Sequence, residues 1–391
     1  MRYNFDEVIS REDTDALKIE GMDENWGRHD LLPLWIADMD FATPPFIIDA
    51  ITDRCKNPVL GYTKRPQEWS DAIVNWQKNR FGWDIREEWL NFVPGIVPGI
   101  AFAIQCFTKP GDKILVTTPV YPPYLHVPRK NGRIVVECNL KIKDDEIVID
   151  WEDFEKAAKG CSMFLLCHPH NPGGRVWTKE ELCHIAEICK KNNILVVSDE
   201  IHADLTLSPF HHIPYAMSCE DAKQNSITFA SPSKALNMAG MVSSYSVIPN
   251  DNIRTQFDAY LNNNELNMGH AFAFRTVIAA YTHGTEWLDQ CLAYIQDNID
   301  YVEKRLREDM PEITMIKPQA SYLIFLDCKK LHMNNNQLHD FFVCKAHLAL
   351  NDGFTFGDNG SGYMRLNIAT PRCVLKRAID QLAEGYKTID N

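Results

Sequence analysis

Three short runs hold residue types that can do chemistry together: HPHNPGGRVW (168–177), VVSDEIHADL (196–205) and SPSKALNMAG (231–240). In that order they supply an amide (Asn171), a carboxylate (Asp199) and an amine (Lys234). An amine forms a Schiff base with an aldehyde. A carboxylate beside a pyridine ring keeps its nitrogen protonated and so makes the ring an electron sink. Lys paired with Asp is what a protein contributes to pyridoxal phosphate (PLP) chemistry. Lys234 must then be deprotonated part of the time, which burial permits. A lone Lys among serines is ordinarily a solvated charge; three runs in this order imply a site.

Other residues complete the constellation. Asp199 ends an apolar strand, at the edge where open α/β sheets bind ligands. Asn171 follows the strand 163–167, so it shares that edge and can donate to the cofactor's phenolic oxygen, although Asn-Pro is a turn signal in any case. His202 lies three residues beyond Asp199, within reach of the same ring. Ser231 and Ser233 offer hydroxyls to a phosphate. VPGIVPGI (93–100) precedes an apolar helix over 100–107, so backbone N–H groups and the helix dipole form a second phosphate wall. Neither G-x-G-x-x-G nor a Walker loop occurs. Tyr121, in TTPVYPPY, can stack on the ring; Tyr62, in LGYT, can reach a phosphate; Arg365, in YMRLN, suits bidentate recognition of a carboxylate. The groups Asp199-Glu200-His202-Asp204 and Cys167-His168-His170 invite a metal reading, but neither has the ligand spacing of a zinc site, and no metal is expected.

The elements that must position these residues alternate. Apolar, β-branched runs of strand length fall at 113–118, 133–137, 163–167, 194–198, 226–230 and 242–248, with helical patterns between several of them. The clearest helix follows Trp177: Thr178 and Glu181 form a capping box, and Leu182, Ile185, Ala186 and Cys189 mark one face. Strand–helix repetition predicts an α/β fold with a mostly parallel sheet covered on both faces. The texture changes from Trp287: a helix through Arg307, a strand at 320–327, a helix at 336–347, a strand at 363–369 and a helix at 371–388. The expectation is a large cofactor-binding domain over 46–285 and a smaller α+β domain built from 1–45 with 286–391.

At 391 residues the chain exceeds one ordinary hydrophobic core. A formal net charge of −13 argues against nucleic acid and anionic membranes as partners, and the amino acid expected as substrate is a small molecule. No apolar run approaches the ~20 residues that span a bilayer. MRYNFDEVIS shows no export or organelle signal, and 12 Cys without C-x-x-C pairs suit reduced thiols, so the cytoplasm is the expected compartment.

Taken together, LPLWIADMDF (32–41), LGYT (60–63), SDEIHADL (198–205), SPSKALNMAGM (231–241) and YMRLNIA (363–369) resemble the fold type I, aspartate aminotransferase-like PLP enzymes, and within them the MalY/PatB-type cystathionine β-lyases. The resemblance covers essentially the whole chain. It implies a PLP-dependent transferase-like fold, with Lys234 as the Schiff-base lysine, Asp199 as the partner of the pyridine nitrogen and Tyr121 stacked on the ring at the reaction centre. Asn171 would bind the phenolic oxygen, with His202 where many relatives have Tyr. The amides of Ile96 and Val97, with Ser231 and Ser233, would hold the phosphate. Tyr62 would reach the neighbouring subunit's cofactor, implying a homodimer with active sites at the interface. Arg365 would bind the substrate α-carboxylate, and Trp35 to Ala37 would line the substrate site. The implied reaction is carbon–sulfur β-elimination from L-cystathionine or related S-substituted cysteines, giving a thiol, pyruvate and ammonia. An aminotransferase is the rival, and a PLP-binding regulatory protein a third reading. One departure stands out: many relatives carry an Arg eight residues after the Schiff-base Lys, where this chain has Val242.

Overall fold

The computed structural model describes residues 2–143 and 145–389; the first and the last two residues of the expected small domain lie outside that range. A seven-stranded sheet forms the centre. Its strands are β1 (Leu90–Val93), β2 (Lys113–Thr118), β3 (Ile134–Asn139), β4 (Cys161–Cys167), β5 (Leu195–Asp199), β6 (Ser226–Ala230) and β7 (Ser244–Val247), in the spatial order β1-β7-β6-β5-β4-β2-β3. Pairing is parallel from β3 through β6, and β7 is antiparallel to both its neighbours.

Helices cover both faces because the strands are apolar on both. In β4, Phe164 and Leu166 point to one layer, where Leu182, Ile185, Ala186 and Cys189 of α5 (Lys179–Lys191) meet them. Met163, Leu165 and Cys167 point to the other, against Ile96, Ile100, Ala103 and Ile104 of α3 (Ile96–Phe107) and Phe257 and Leu261 of α6 (Asp251–Asn263). Successive strand side chains face opposite ways, so a strand buried twice reads as one unbroken apolar run. Phe164 is fully buried, and its truncation to Ala is expected to cost about 3–5 kcal/mol. Of the other helices, α4 (Pro123–Lys130) and the helix Trp151–Ala158 also pack on this sheet, whereas α1 (Pro45–Cys55) and α2 (Gln67–Phe81) pack on the long helix Ala271–Asp309.

The chain then runs through α7 (Ala271–Asp309) into an antiparallel sheet of β8 (Thr314–Ile316), β9 (Leu323–Asp327), β10 (Asn351–Asp352) and β11 (Tyr363–Asn367), ordered β8-β9-β11-β10, and closes with α8 (Arg372–Tyr386). The N-terminal segment joins this part: Leu32 and Pro33 pair with Leu348 and Ala349, and Asn367 holds the carbonyls of Ile36 and Asp38.

Several element bounds differ from the sequence expectation. α7 begins 16 residues before Trp287 and crosses residue 285, because Ala273, Phe274, Val277, Ala280 and Tyr281 are buried on several sides and leave no clean stripe. The helix expected over 336–347 is an α-helix only at Asn335–Asp340 and continues as a π-helical turn, Phe341–Lys345. The strand expected from 320 starts at Leu323, since Gln319 and Ala320 instead donate to the carbonyl of Gly174. The strand expected from 242 starts at Ser244, because Val242 adopts the left-handed conformation (φ 47°) that no strand contains. The capping box forms as expected, Glu181 N to Thr178 Oγ1 at 3.2 Å and Thr178 N to Glu181 Oε2 at 2.7 Å.

Among the described residues, no helix is long and apolar enough to cross a membrane, and no group of three or more His, Cys, Asp and Glu side chains could hold a metal ion.

Candidate active site

The parallel strands end together on one edge of the large sheet, and the turns leaving them enclose a cavity of about 290 Å³. Its wall includes Ile96 and Val97 after β1, Tyr121 after β2, Asn171 after β4, Asp199 and His202 at the end of β5, and Ser233 and Lys234 after β6. Ala37 lines it from the N-terminal segment and Val242, Ser243 and Ser244 from the start of β7. Residues as far apart in sequence as Ile96 and Lys234 therefore meet because strands in one direction share one edge.

Asp199 is buried and fixed at both oxygens: Ile201 N donates to Oδ1 and the hydroxyl of Tyr124 donates to Oδ2, each at 3.0 Å. Burial nevertheless pushes its carboxyl pKa up to about 6, against the pull of those two bonds and of Lys234. A protonated ring nitrogen beside it would supply the opposite charge that the carboxylate lacks. Enclosure pushes the Lys234 amine down to about 8, with the Arg365 charge adding to the effect, while Asp38 and Asp199 oppose it. The amine donates to the carbonyl of Ala37, which also accepts from the hydroxyl of Tyr322 at 3.0 Å. Burial likewise holds His202 near 3, so its ring is neutral, and its buried Nδ1 has no partner among the described residues.

Arg365 is buried at 4% exposure on β11 and points across to this edge. Its guanidinium donates to Asn351 Oδ1 (2.6 Å), the carbonyl of Trp35 (3.0 Å) and Asn171 Oδ1 (3.2 Å), while Nε has no partner. The bond to Asn171 settles how that amide faces: the oxygen is taken, so the NH₂ group is presented to the cavity.

The residues singled out from sequence fall into two sets. Lys234, Asp199, Asn171, His202, Tyr121, Ile96, Val97, Ser233 and Ala37 line one cavity. Ser231 stands behind Ser233, hydrogen-bonded to it and to the carbonyl of Ser243 at 2.6 Å. The Trp35 ring turns away, donating to the carbonyl of Lys18 and packing edge-on against Trp26, so only its backbone reaches the site. Tyr62 is 99% exposed in a segment with neither helix nor strand, outside the cavity wall. Sequence reasoning missed Tyr124, Tyr322 and Asn351. Tyr124 carried the one available hint, since it follows Tyr121 by three residues, in the first turn of α4.

The residues present fit PLP. An amine with lowered pKa, a carboxylate lacking its cation, an amide NH₂ aimed inward, an orphaned imidazole nitrogen and the first-turn amides of α3, which have no upstream carbonyl partners, converge on one space. Proteins similar to this chain include a named lyase and PLP-bound structures. A cystathionine β-lyase, PatB, of Bacillus subtilis (strain 168) is 39% identical over 97% of this chain and 98% of its own. A PLP-bound putative aminotransferase from Clostridium difficile 630 superposes with a TM-score of 0.96 at 38% identity, covering 98% of this chain and all of that one. A PLP-bound C-S lyase from Staphylococcus hominis superposes at 0.92 with 32% identity, covering 99% and 98%. Residues 29–382 match the family described as aminotransferase class I and II, and with fold, edge cavity and near full-length likeness in accord, the chain belongs to that family.

Proposed function

We propose that this protein is a PLP-dependent carbon–sulfur β-lyase that cleaves L-cystathionine or related S-substituted cysteines to a thiol, pyruvate and ammonia. The observation that carries the reading is the convergence of Lys234, Asp199 and the Asn171–Arg365 pair on one cavity; the names of the relatives supply the choice of reaction.

Lys234 would hold the cofactor, with Ser233, Ser231 and the amides of Ile96 and Val97 around its phosphate and Tyr121 against its ring. PLP, when bound there, supplies the electron sink for a carbanion at the substrate's Cα. Arg365 binds the substrate carboxylate through its planar fork, in an orientation set by Asn351 and by Asn171. Lys234, with its depressed pKa, is the base that takes the α-proton. Asp199, held by Tyr124, keeps the ring nitrogen protonated. Asn171 would donate to the phenolic oxygen, with neutral His202 in the same cavity wall. Ala37 and the backbone of Trp35 bound the substrate side.

Tyr62 lies outside its own chain's cavity, so we place it in the site of a second copy, in a homodimer working in the cytoplasm. The two-domain division, 46–285 against 1–45 with 286–391, remains part of this reading, with α7 bridging both parts. An aminotransferase is the second reading, favoured by the family and by the Clostridium difficile structure. One experiment separates them. Given L-cystathionine alone, a β-lyase releases homocysteine, pyruvate and ammonia over many turnovers, whereas an aminotransferase stops after one turnover per site. Turnover that requires added 2-oxo acid overturns the lyase.

A further inference from the structure

The D-E-x-H-x-D run is only half used by the site above. Asp199 and His202 face the edge cavity, but Asp204, two residues on, turns the other way. It is 7% exposed and lines a separate cavity of about 720 Å³, bounded by the end of α2, the middle of α7 and the turn 203–213. A carboxylate buried this deeply is costly unless a cation meets it. Here both contacts fall on one oxygen. Trp76 Nε1 donates to Oδ1 at 2.9 Å, and Arg80 Nε stands 3.9 Å from the same atom. Arg80 is itself committed elsewhere, its NH1 donating to Asp289 Oδ1 at 3.0 Å. Among the described residues no donor reaches Oδ2, on a side chain that lines the cavity.

The charges around this cavity are Arg80 against Asp204 and Asp289, with His211 exposed and His212 buried against Glu200 at 2.8 Å. One cation faces two carboxylates, so the cavity has room for one more positive charge. Much of the rest of the wall is apolar, with Phe81, Leu207, Phe210, which is 40% exposed, and Leu292, beside the polar Thr206, Ser208 and Gln296. Aromatic faces beside a carboxylate suit an ammonium group, which gains from both. We propose that this cavity is a second small-molecule site, separate from the edge cavity, for a primary amine carrying an apolar or aromatic body. Its ammonium would pair with Asp204 Oδ2 and its body would lie against Phe81, Phe210 and Leu207. A carboxylate on the ligand would face Asp204 and Asp289 and weaken binding.

The probe is phenethylamine, compared with L-phenylalanine and 3-phenylpropionate. Titration calorimetry uses the purified full-length protein after borohydride treatment, so that a Schiff base fixed at Lys234 keeps the amine from exchanging into the edge cavity. Phenethylamine is expected to bind one per chain, at least about tenfold tighter than either carboxylate-bearing analogue. Two variants locate it. Asp204→Asn keeps an oxygen for Trp76 but removes the charge; Ala293→Trp, at an exposed position of α7 in the cavity wall, fills the space. Each is expected to weaken phenethylamine at least about tenfold while circular dichroism and melting temperature show a folded chain. No binding of phenethylamine, equal binding of all three compounds, or binding unchanged in folded Asp204→Asn and Ala293→Trp overturns the proposal.

Discussion

The inner wall of the edge cavity and an exposed apolar rim outside it, Val59 to Tyr62, are built on different principles. On the inner wall every charged or amide group is gripped from a second direction: Asp199 by Tyr124 and Ile201, Asn171 by Arg365, Arg365 by Asn351 and Trp35. On the rim, Tyr62, Val59 and Leu60 are exposed at 99%, 71% and 64%, in a segment with neither helix nor strand. Where the cavity wall meets solvent, Val242 is 51% exposed and holds φ 47°, a costly conformation for a β-branched residue. Side chains locked before any ligand arrives can direct charge, because they need not reorganise when it develops. An apolar rim left uncovered does no such work within one chain; in the proposed homodimer a second copy covers it. The contrast predicts steep losses for changes at the wall and shallow ones at the rim.

The steepest belongs to Lys234. Lys234→Ala removes both the point of attachment and the base, so turnover of L-cystathionine is expected to fall ~10⁴-fold or more. After borohydride treatment of the wild type, a peptide map is expected to carry the cofactor on Lys234; label on another lysine breaks the assignment.

Asp199→Asn separates catalysis from stability. Turnover is expected to drop ~10²–10³-fold, as for loss of one strong electrostatic stabiliser. The cofactor-free protein should respond in the opposite sense. The folded-state pKa of Asp199 is raised from 3.8 to about 6, so the folded chain holds this proton more tightly than the unfolded one. Stability contributed by the group is then lost as pH rises through that window, and the uncharged Asn escapes the loss. The variant's melting temperature, without cofactor, is expected to overtake the wild type between pH 4 and 6 and to stay about 3 °C higher at pH 8. A variant less stable than wild type at pH 8 would make Asp199 a structural cap.

Arg365→Ala is intermediate. Losing charge-assisted hydrogen bonds to a carboxylate is expected to raise KM by about 10–100-fold for every amino acid tested, with a smaller change in kcat. A selective effect on one substrate would place Arg365 on the side-chain end instead.

The wall was also the more legible region in the sequence, and for the same reason. Asp199, Asn171 and Lys234 announce themselves because each ends or follows an apolar strand, and parallel strands deliver their ends to one edge. Their supports are invisible there. Tyr322 meets Ala37, and Asn351 meets Arg365 across two antiparallel strands. Nothing in the local pattern marks such partners, since a Tyr or Asn in a strand is unremarkable until its neighbour is known. Periodicity fails at the start of α7 for a related cause: a helix buried on several sides has no polar face to contrast with its apolar one. The turn of Asp204 away from Asp199 is equally hidden, because a turn after a strand has no fixed side-chain period.

The smallest effect is expected at the rim, and it tests the comparison most directly. Tyr62 has no partner for its hydroxyl among the described residues and stands clear of its own chain, so within a monomer Tyr62→Phe should change nothing. In the proposed homodimer that hydroxyl donates one hydrogen bond to a phosphate oxygen in the other site. Loss of one such bond corresponds to about 1 kcal/mol, or roughly fivefold faster release of PLP on dialysis. Sedimentation should find a dimer for both proteins, since a ring at the interface is kept and only its oxygen removed. Leu60→Asp provides the sharper cut: a charge placed in an apolar rim should shift the population toward monomer, and release of PLP should then depend on protein concentration. Wild-type protein that sediments as a fully active monomer, retaining PLP as firmly as the variant, would show that the rim needs no second copy and that the inner wall alone makes the site.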